Sequence, residues 1–308
     1  MKIIFMGTPE IAAQCLQMIL SDTHHEVCAV YTRPDKPVGR KQILTPPPVK
    51  VVAQEHGISV FQPKNLREVQ TVEQIKSFQA DCIVVVAYGC ILPKDVLNVA
   101  VFGAINLHVS LLPKYRGAAP VQWSIINGET KTGVTIMQLD EGLDTGDILH
   151  VVETPIGENE TSEALFLRVT ELGKQALCDT MMQIEQKTVN RIPQNHDEAT
   201  LAPMLTKEMA QFTFAQKAKE LHHLICGMNP WPIAFFVHEE KKIKVKSSRF
   251  VQQCGRIGEI LSVKPLVIAC QTDALELDEV VPQGSKPMSG SAWAVGKRLQ
   301  KGDFLGAI

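Results

Sequence analysis

The segment Ile105–Trp123, INLHVSLLPKYRGAAPVQW, is the densest group of residues able to do chemistry in this 308-residue chain. Asn106 and His108 stand two apart, and on an extended chain that spacing sends both side chains to the same face. Farther on, LDEGLDTGD, Leu139–Asp147, follows a strand-like run, Gly133–Gln138, and delivers carboxylates, Asp144 among them, from a glycine-containing loop. An amide, an imidazole and a carboxylate meeting at strand ends suit acyl transfer to an amine. The tetrahedral intermediate of such a reaction puts negative charge on oxygen, and Asn106 and His108 would donate hydrogen bonds to it. Asp144 beside His108 would favour the doubly protonated imidazolium and accept the amine's proton directly or through water. This scheme needs no nucleophile from the enzyme. Ser110 has no GxSxG elbow around it and, within SLLP, suits ligand binding better than attack.

Taken singly, each of these residues has a plainer use. A histidine at a strand end is often only hydrogen-bonded, Asn106 equally suits a turn cap, and Asp144 an Asx-turn. Calcium binding by the acidic loop is excluded by spacing: counted from Asp140, Gly142 falls on the second carboxylate position and Thr145 on the required glycine. The opening turn Gly7–Glu10, GTPE, lacks the GxGxxG of a dinucleotide site.

The elements that must hold these groups follow from periodicity. Lys2–Met6, Val27–Thr32, Ile58–Phe61, Cys82–Ala87 and Ala104–Leu107 read as strands, with helical patterns between several of them. That alternation predicts an α/β, doubly wound (Rossmann-like) domain with a parallel sheet, whose ligands sit beyond the carboxyl ends of the strands. A long amphipathic helix over about Glu163–Lys187, capped by Thr161 or Ser162, closes it. Polar residues with two prolines, Asn190–Pro203, then read as linker. Thr213 and Gln216 form a capping box for a helix through Ala218, Leu221 and Ile225, stopped by Gly227 and Pro230. Short strands with turn signals after it suggest a C-terminal OB-like β-barrel. The expected domains are residues 1–189, a linker 190–207, and 208–308.

A hydrophobic share of 45% and a charged share of 21% match an ordinary globular chain, and no apolar run reaches the roughly 20 residues of a membrane span. Eight cysteines without a CxxC pair suggest a reducing cytoplasm, with neither disulfides nor metal. The net charge of −2 is uneven: residues 1–207 hold 18 Lys/Arg against 23 Asp/Glu, and residues 208–308 hold 13 against 10. A basic last third is a weak pointer to a polyanionic partner there, and equally an ordinary solvated surface.

INLHVSLLPKYRGAAP followed by DEGLDTGDIL resembles the signature of the folate-dependent formyltransferases. The resemblance implies catalytic roles for Asn106, His108 and Asp144, and 10-formyltetrahydrofolate as donor. It implies folate contacts by Ser110, Leu111, Leu112 and Pro113. Val85–Pro93, VVAYGCILP, resembles the stretch lining the pterin pocket, which adds Tyr88, Gly89 and Ile91, with Asp140 from the acidic loop.

Similar domains formylate glycinamide ribonucleotide, UDP- or dTDP-linked amino sugars, and methionyl-tRNA. FMGTPEIA at the start, the loop Arg33–Lys50 and GMNPWPIAF at Gly227–Phe235 are similar to the branch acting on methionyl-tRNA over nearly the whole chain. That likeness implies initiator methionyl-tRNA as acceptor, N-formylmethionyl-tRNA for translation initiation as product, and an enzyme expected to be a monomer. In the loop, Arg33, Lys36, Arg40 and Lys41 stand against one carboxylate, Asp35, and its prolines are expected to keep it out of helix and sheet. Mobile basic arms of this kind can enter an acceptor stem and order on contact, and the resemblance implies Arg40 at the first mismatched base pair; the plain alternative is a solvated loop. In KIKVK, Lys242, Lys244 and Lys246 share one strand face, a ladder that suits tRNA and equally a solvated face.

Overall fold

The computed structural model describes residues 1–21, 24–39 and 41–306. By compactness the chain divides into two units. The first comprises Met1–Gly117, Gly133–Glu153 and Val169–Leu201, and the second Ala118–Thr132, Thr154–Arg168 and Ala202–Ile308.

In chain order the first part holds β1 (Lys2–Gly7), α1 (Glu10–Ser21), β2 (Glu26–Tyr31), β3 (Lys36–Val38), β4 (Ile43–Thr45), α2 (Pro48–Glu55), β5 (Val60–Phe61), α3 (Val69–Ser77), β6 (Cys82–Val86), α4 (Lys94–Leu97), β7 (Ala104–His108) and β8 (Arg116–Gly117). After α5 (Pro120–Ile126) come β9 (Lys131–Gln138), β10 (Ile148–Pro155), α6 (Ser162–Glu185) and β11 (Leu201–Ala202). Seven strands make one sheet in the order β10-β9-β7-β6-β1-β2-β5. β1 and β6, apolar nearly throughout, lie at its centre, as strands buried on both faces must. β1 pairs in parallel with β2 and β6, and β6 in parallel with β7. The expected parallel sheet carries an antiparallel pair on one side, where β9 runs against β7.

Strand order reverses between β1 and β6, so their carboxyl ends open a crevice at the topological switch point. Gly7 makes the turn there possible: a Cβ would lie 2.6 Å from the Ala12 Cβ and 3.0 Å from the Val86 carbonyl oxygen. The loop expected to stay out of sheet is a hairpin, with Lys36 opposite Thr45 and Pro37 opposite Leu44. A two-stranded ribbon has edges on both strands, where a missing proline N–H is tolerated.

The expected linker, 190–207, is not a free tether. Ile192 exchanges backbone hydrogen bonds with Ile148, Asn195 caps a short turn, and β11 pairs with β8. Compactness groups residues 118–132 and 154–168 with the C-terminal unit rather than with their neighbours in sequence. The reason is apolar burial: Trp123 and Ile126 pack on the cluster containing Leu221, Ile225 and Phe236.

That second unit continues with α7 (Ala218–Gly227), β12 (Phe235–His238), β13 (Lys241–Val251), β14 (Ile260–Val263), β15 (Leu266–Ala269), β16 (Ala274–Pro282), β17 (Met288–Ser289) and α8 (Gly290–Gly296). Its antiparallel sheet runs β12-β13-β16-β15-β14, with β17 on β16, the arrangement expected of an OB-like domain. Phe212, Phe214, Phe236 and Trp293 centre its core. Half of the expected capping box forms, Thr213 N donating to Gln216 Oε1 at 3.4 Å, but the helix starts only at Ala218.

Candidate active site

β7 positions the first two residues of the expected trio. Asn106 lies opposite Val85 of β6 and Met137 of β9, and His108 opposite Thr135. Period two turns Ile105 and Leu107 to one face and Asn106 and His108 to the other. Asn106 is half-buried, and its side-chain amide has no hydrogen-bond partner among the described residues. Its two N–H donors therefore remain free for a ligand.

His108 is buried, held at one ring nitrogen and open at the other. Nε2 lies 2.9 Å from the Tyr115 carbonyl oxygen, which only accepts, so Nε2 carries a proton. Nδ1 lies 3.7 Å from Asp144 Oδ2. That gap is too long for a hydrogen bond, but a third polar atom can sit beside it within about 2.8 Å of both groups. Asp144 Oδ2 also accepts from the Gly117 backbone N–H at 2.8 Å. Its backbone is left-handed, φ 53°, a conformation aspartate tolerates better than most residues.

The loop carrying Asp144 is held from outside the motif. Gln194 Nε2 donates to the carbonyls of Asp144 and Gly146, at 2.9 and 2.7 Å. Gln194 Oε1 accepts from the buried Arg116 guanidinium at 2.7 and 3.2 Å, and Arg116 also meets His196 Nδ1. Arg116 and Gln194 are thus supports that the sequence reading missed. Arg116 was in view within YRGAAP, but nothing in the spacing tied it to a glutamine 78 residues on.

The expected folate residues are placed unevenly. Ser110 is fully buried and its hydroxyl donates to the Lys114 carbonyl at 2.7 Å, closing the SLLP turn on itself. Thr135, also missed, fixes that turn by donating to Ser110 O and accepting from Leu112 N. Leu112 is buried, and Leu111 and Pro113 are half-buried. Gly89 is exposed with φ 77°, and Ile91 is 76% exposed, presenting an apolar side chain at the β6 loop. Tyr88 is buried, its hydroxyl unpartnered among the described residues. Burial pushes that phenol up to about 12. Asp140 accepts from Gly142 N and Thr145 Oγ1, which shapes the acidic loop. It also lines a cleft of about 770 Å³ with Leu97, Phe102, Leu139 and Arg191, whereas Asn106, His108 and Asp144 do not.

Of the expected tRNA contacts, Lys36 and Lys41 are exposed on the hairpin. Arg40 lies outside the described residues. Arg33 is elsewhere: its guanidinium is half-buried and donates to the Cys90 thiol. In the second unit Lys242 stands 4.5 Å over the Phe235 ring, Lys244 is exposed, and Lys246 pairs with Glu279 at 3.2 Å. Ile243 and Val245 are buried on the opposite face.

The formyl transferase family model matches residues 1–181, and that of the formyl transferase C-terminal domain matches 204–298. A methionyl-tRNA formyltransferase of Alkaliphilus oremlandii is 45% identical, over 99% of this chain and 100% of its own length. One from Clostridioides difficile is 42% identical over the same shares. The fold is shared with more distant proteins. A sugar 3N-formyl transferase, WlaRD, solved with dTDP and 5-N-formyl-THF, superposes with a TM-score of 0.67 at 16% identity, covering 93% of this chain and 99% of that one. HypX from Aquifex aeolicus, in complex with tetrahydrofolic acid, superposes at 0.63 and 17% identity, covering 99% of this chain and 50% of that one. Identity sustained from end to end, through both matched domains, makes this chain a member of the methionyl-tRNA formyltransferase family.

Proposed function

We propose that this chain transfers the formyl group of 10-formyltetrahydrofolate to the α-amino group of initiator methionyl-tRNA, giving N-formylmethionyl-tRNA for translation initiation. The observation that carries the chemistry is the placing of Asp144 Oδ2 3.7 Å from His108 Nδ1, with the free amide of Asn106 on the same strand face. The amine nitrogen attacks the formyl carbon, the new C–N bond forms, and the bond from that carbon to the folate nitrogen breaks. Asn106 donates to the oxygen as it gains charge. Nε2–H is committed to Tyr115, so His108 joins Asn106 through Nδ1–H when the ring is doubly protonated. Asp144 accepts the amine's proton, directly or through water, and the same proton passes on to the folate nitrogen as it leaves. A free α-amino group titrates at roughly 7.7–8.0, so a useful share is neutral near pH 7 without a strong base.

The family's full-length match favours a division of labour in which residues 1–189 hold donor and chemistry, and 208–308 hold the tRNA body through the ladder Lys242, Lys244 and Lys246. Tyr88, Gly89, Ile91 and the SLLP turn would wall the folate, and Lys36, Arg40 and Lys41 of the hairpin would meet the acceptor stem. We place the reaction in the cytoplasm and expect a monomer. No helix among the described residues is long and apolar enough to cross a membrane.

Asn106→Ala tests the assignment. Removing one oxyanion donor costs about 10²–10³ in kcat, so turnover should fall by that factor while folate binding stays within about threefold. An Asn106→Ala enzyme turning over at the wild-type rate removes Asn106 from the chemistry.

A further inference from the structure

Arg33 stands apart from the basic hairpin with which its sequence position groups it. Its backbone is anchored at the end of β2, where its carbonyl accepts from Gln62 Nε2 at 2.7 Å. The nearby carboxylate that could neutralise it is already taken: Asp35 binds Lys50 at 2.8 and 2.9 Å and Gln62 at 2.8 Å. Among the described residues the half-buried Arg33 guanidinium has one hydrogen-bond partner, the Cys90 sulfur, and no carboxylate. A guanidinium carries five N–H donors in a planar fork, so most of its capacity is unused.

The surroundings carry a second sign of a missing ligand. Tyr88, 2% exposed, has a hydroxyl without a partner, and Thr32, fully buried beside Arg33 in sequence, has another. The Arg33 guanidinium donates to Cys90, which stands two residues from Tyr88 on the same loop after β6. Buried polar atoms are nearly always paired, so an orphaned hydroxyl near an unneutralised cation points to an anion that completes both. Cys90 and Tyr88 belong to Val85–Pro93, the stretch read above as the donor wall. Lys36 and Lys41, in contrast, lie out on the hairpin.

We propose that Arg33 is a donor-binding residue, holding with the Tyr88 hydroxyl a carboxylate of the glutamyl tail of 10-formyltetrahydrofolate. This rests on the reading of Val85–Pro93 as the donor wall. The glutamyl tail is the anionic part of that substrate, and a guanidinium fork matches a carboxylate in a way a lysine does not.

The test uses the full chain and two stable probes, 5-formyltetrahydrofolate and the same compound without its glutamate, 5-formyltetrahydropteroate. Their equilibrium binding is measured on wild type, Arg33→Gln and Tyr88→Phe, with melting temperatures to confirm folding. The expected result is binding of the glutamate-bearing probe weakened about five- to tenfold in Arg33→Gln, and less in Tyr88→Phe. Binding of the pteroate should be unchanged and the KM for methionyl-tRNA preserved. Equal affinities of wild type and Arg33→Gln for both probes overturn the proposal, as does a raised KM for tRNA with folate binding intact. A wild-type chain that binds neither probe sinks the donor-wall reading itself and the inference with it.

Discussion

The side-chain amide of Gln194 donates to the Asp144 carbonyl at 2.9 Å from fifty residues farther along the chain, and to the Gly146 carbonyl at 2.7 Å. Its oxygen meanwhile accepts from buried Arg116. One glutamine thus joins the base of the acidic loop to the segment that follows SLLP.

These two duties are separable by substitution. Gln194→Ala should lose both: turnover falls about tenfold, and stability by about 1–3 kcal/mol because Arg116 keeps one fewer acceptor in a buried place. Gln194→Glu returns an acceptor to Arg116 but removes the N–H donors, so it should recover the melting temperature and leave kcat low with KM little changed. A Gln194→Glu enzyme with wild-type kcat would show that the loop is positioned without this residue.

The same loop has no room at Gly146, where a Cβ would lie 1.8 Å from the Gln138 backbone oxygen. Gly146→Ala must displace backbone, at a cost of about 1–3 kcal/mol or more as for other overpacked sites. Chemical denaturation should show that loss, together with a fall in turnover as Asp144 moves. Wild-type stability in this variant would contradict the packing described.

The hairpin carries a pH dependence at its base. Hydrogen bonds from Lys50 and then Gln62 hold the Asp35 carboxyl below its ordinary value. A folded-state pKa that is depressed contributes stability present above the unfolded value, near 3.9, and lost as pH falls toward the folded one. Amide exchange in Lys36–Val38 and Ile43–Thr45 should therefore quicken, beyond the intrinsic pH effect, only below about pH 4. Asp35→Asn should show that looseness at pH 7. Equal protection in wild type and Asp35→Asn at pH 7 would show that the clamp does not hold the hairpin.

Much of this site was legible in the residues because it is local. Asn106 and His108 announce themselves by a spacing of two at the end of an apolar run, and the strands β1 and β6 by runs of apolar residues, Ile3–Met6 and Cys82–Val86. What stayed hidden depends on distant pairing. Arg116 with Gln194, and Thr135 with Ser110, join segments 78 and 25 residues apart, and no periodicity records such contacts. Prolines misled at Pro37, since their bar on sheet structure lapses in a two-stranded ribbon. Nor does charge alone show that Arg33, one of four basic loop residues in sequence, donates to the Cys90 thiol 57 residues on.

For the tRNA side, Arg40→Ala should weaken formylation of methionyl-tRNA far more than it weakens binding of 5-formyltetrahydrofolate. Steady-state kinetics with varied tRNA, beside equilibrium folate binding, checks this. Equal losses on both would remove Arg40 from acceptor recognition.

The most direct measurement is transfer of labelled formyl from 10-formyltetrahydrofolate by the purified chain, with initiator methionyl-tRNA, elongator methionyl-tRNA and amino-sugar nucleotides offered in competition. Label is expected on the initiator tRNA alone. Label on a sugar nucleotide, with none on tRNA, would contradict it, leaving Asn106, His108 and Asp144 as formyl-transfer residues but overturning the acceptor assigned to the hairpin and the C-terminal sheet.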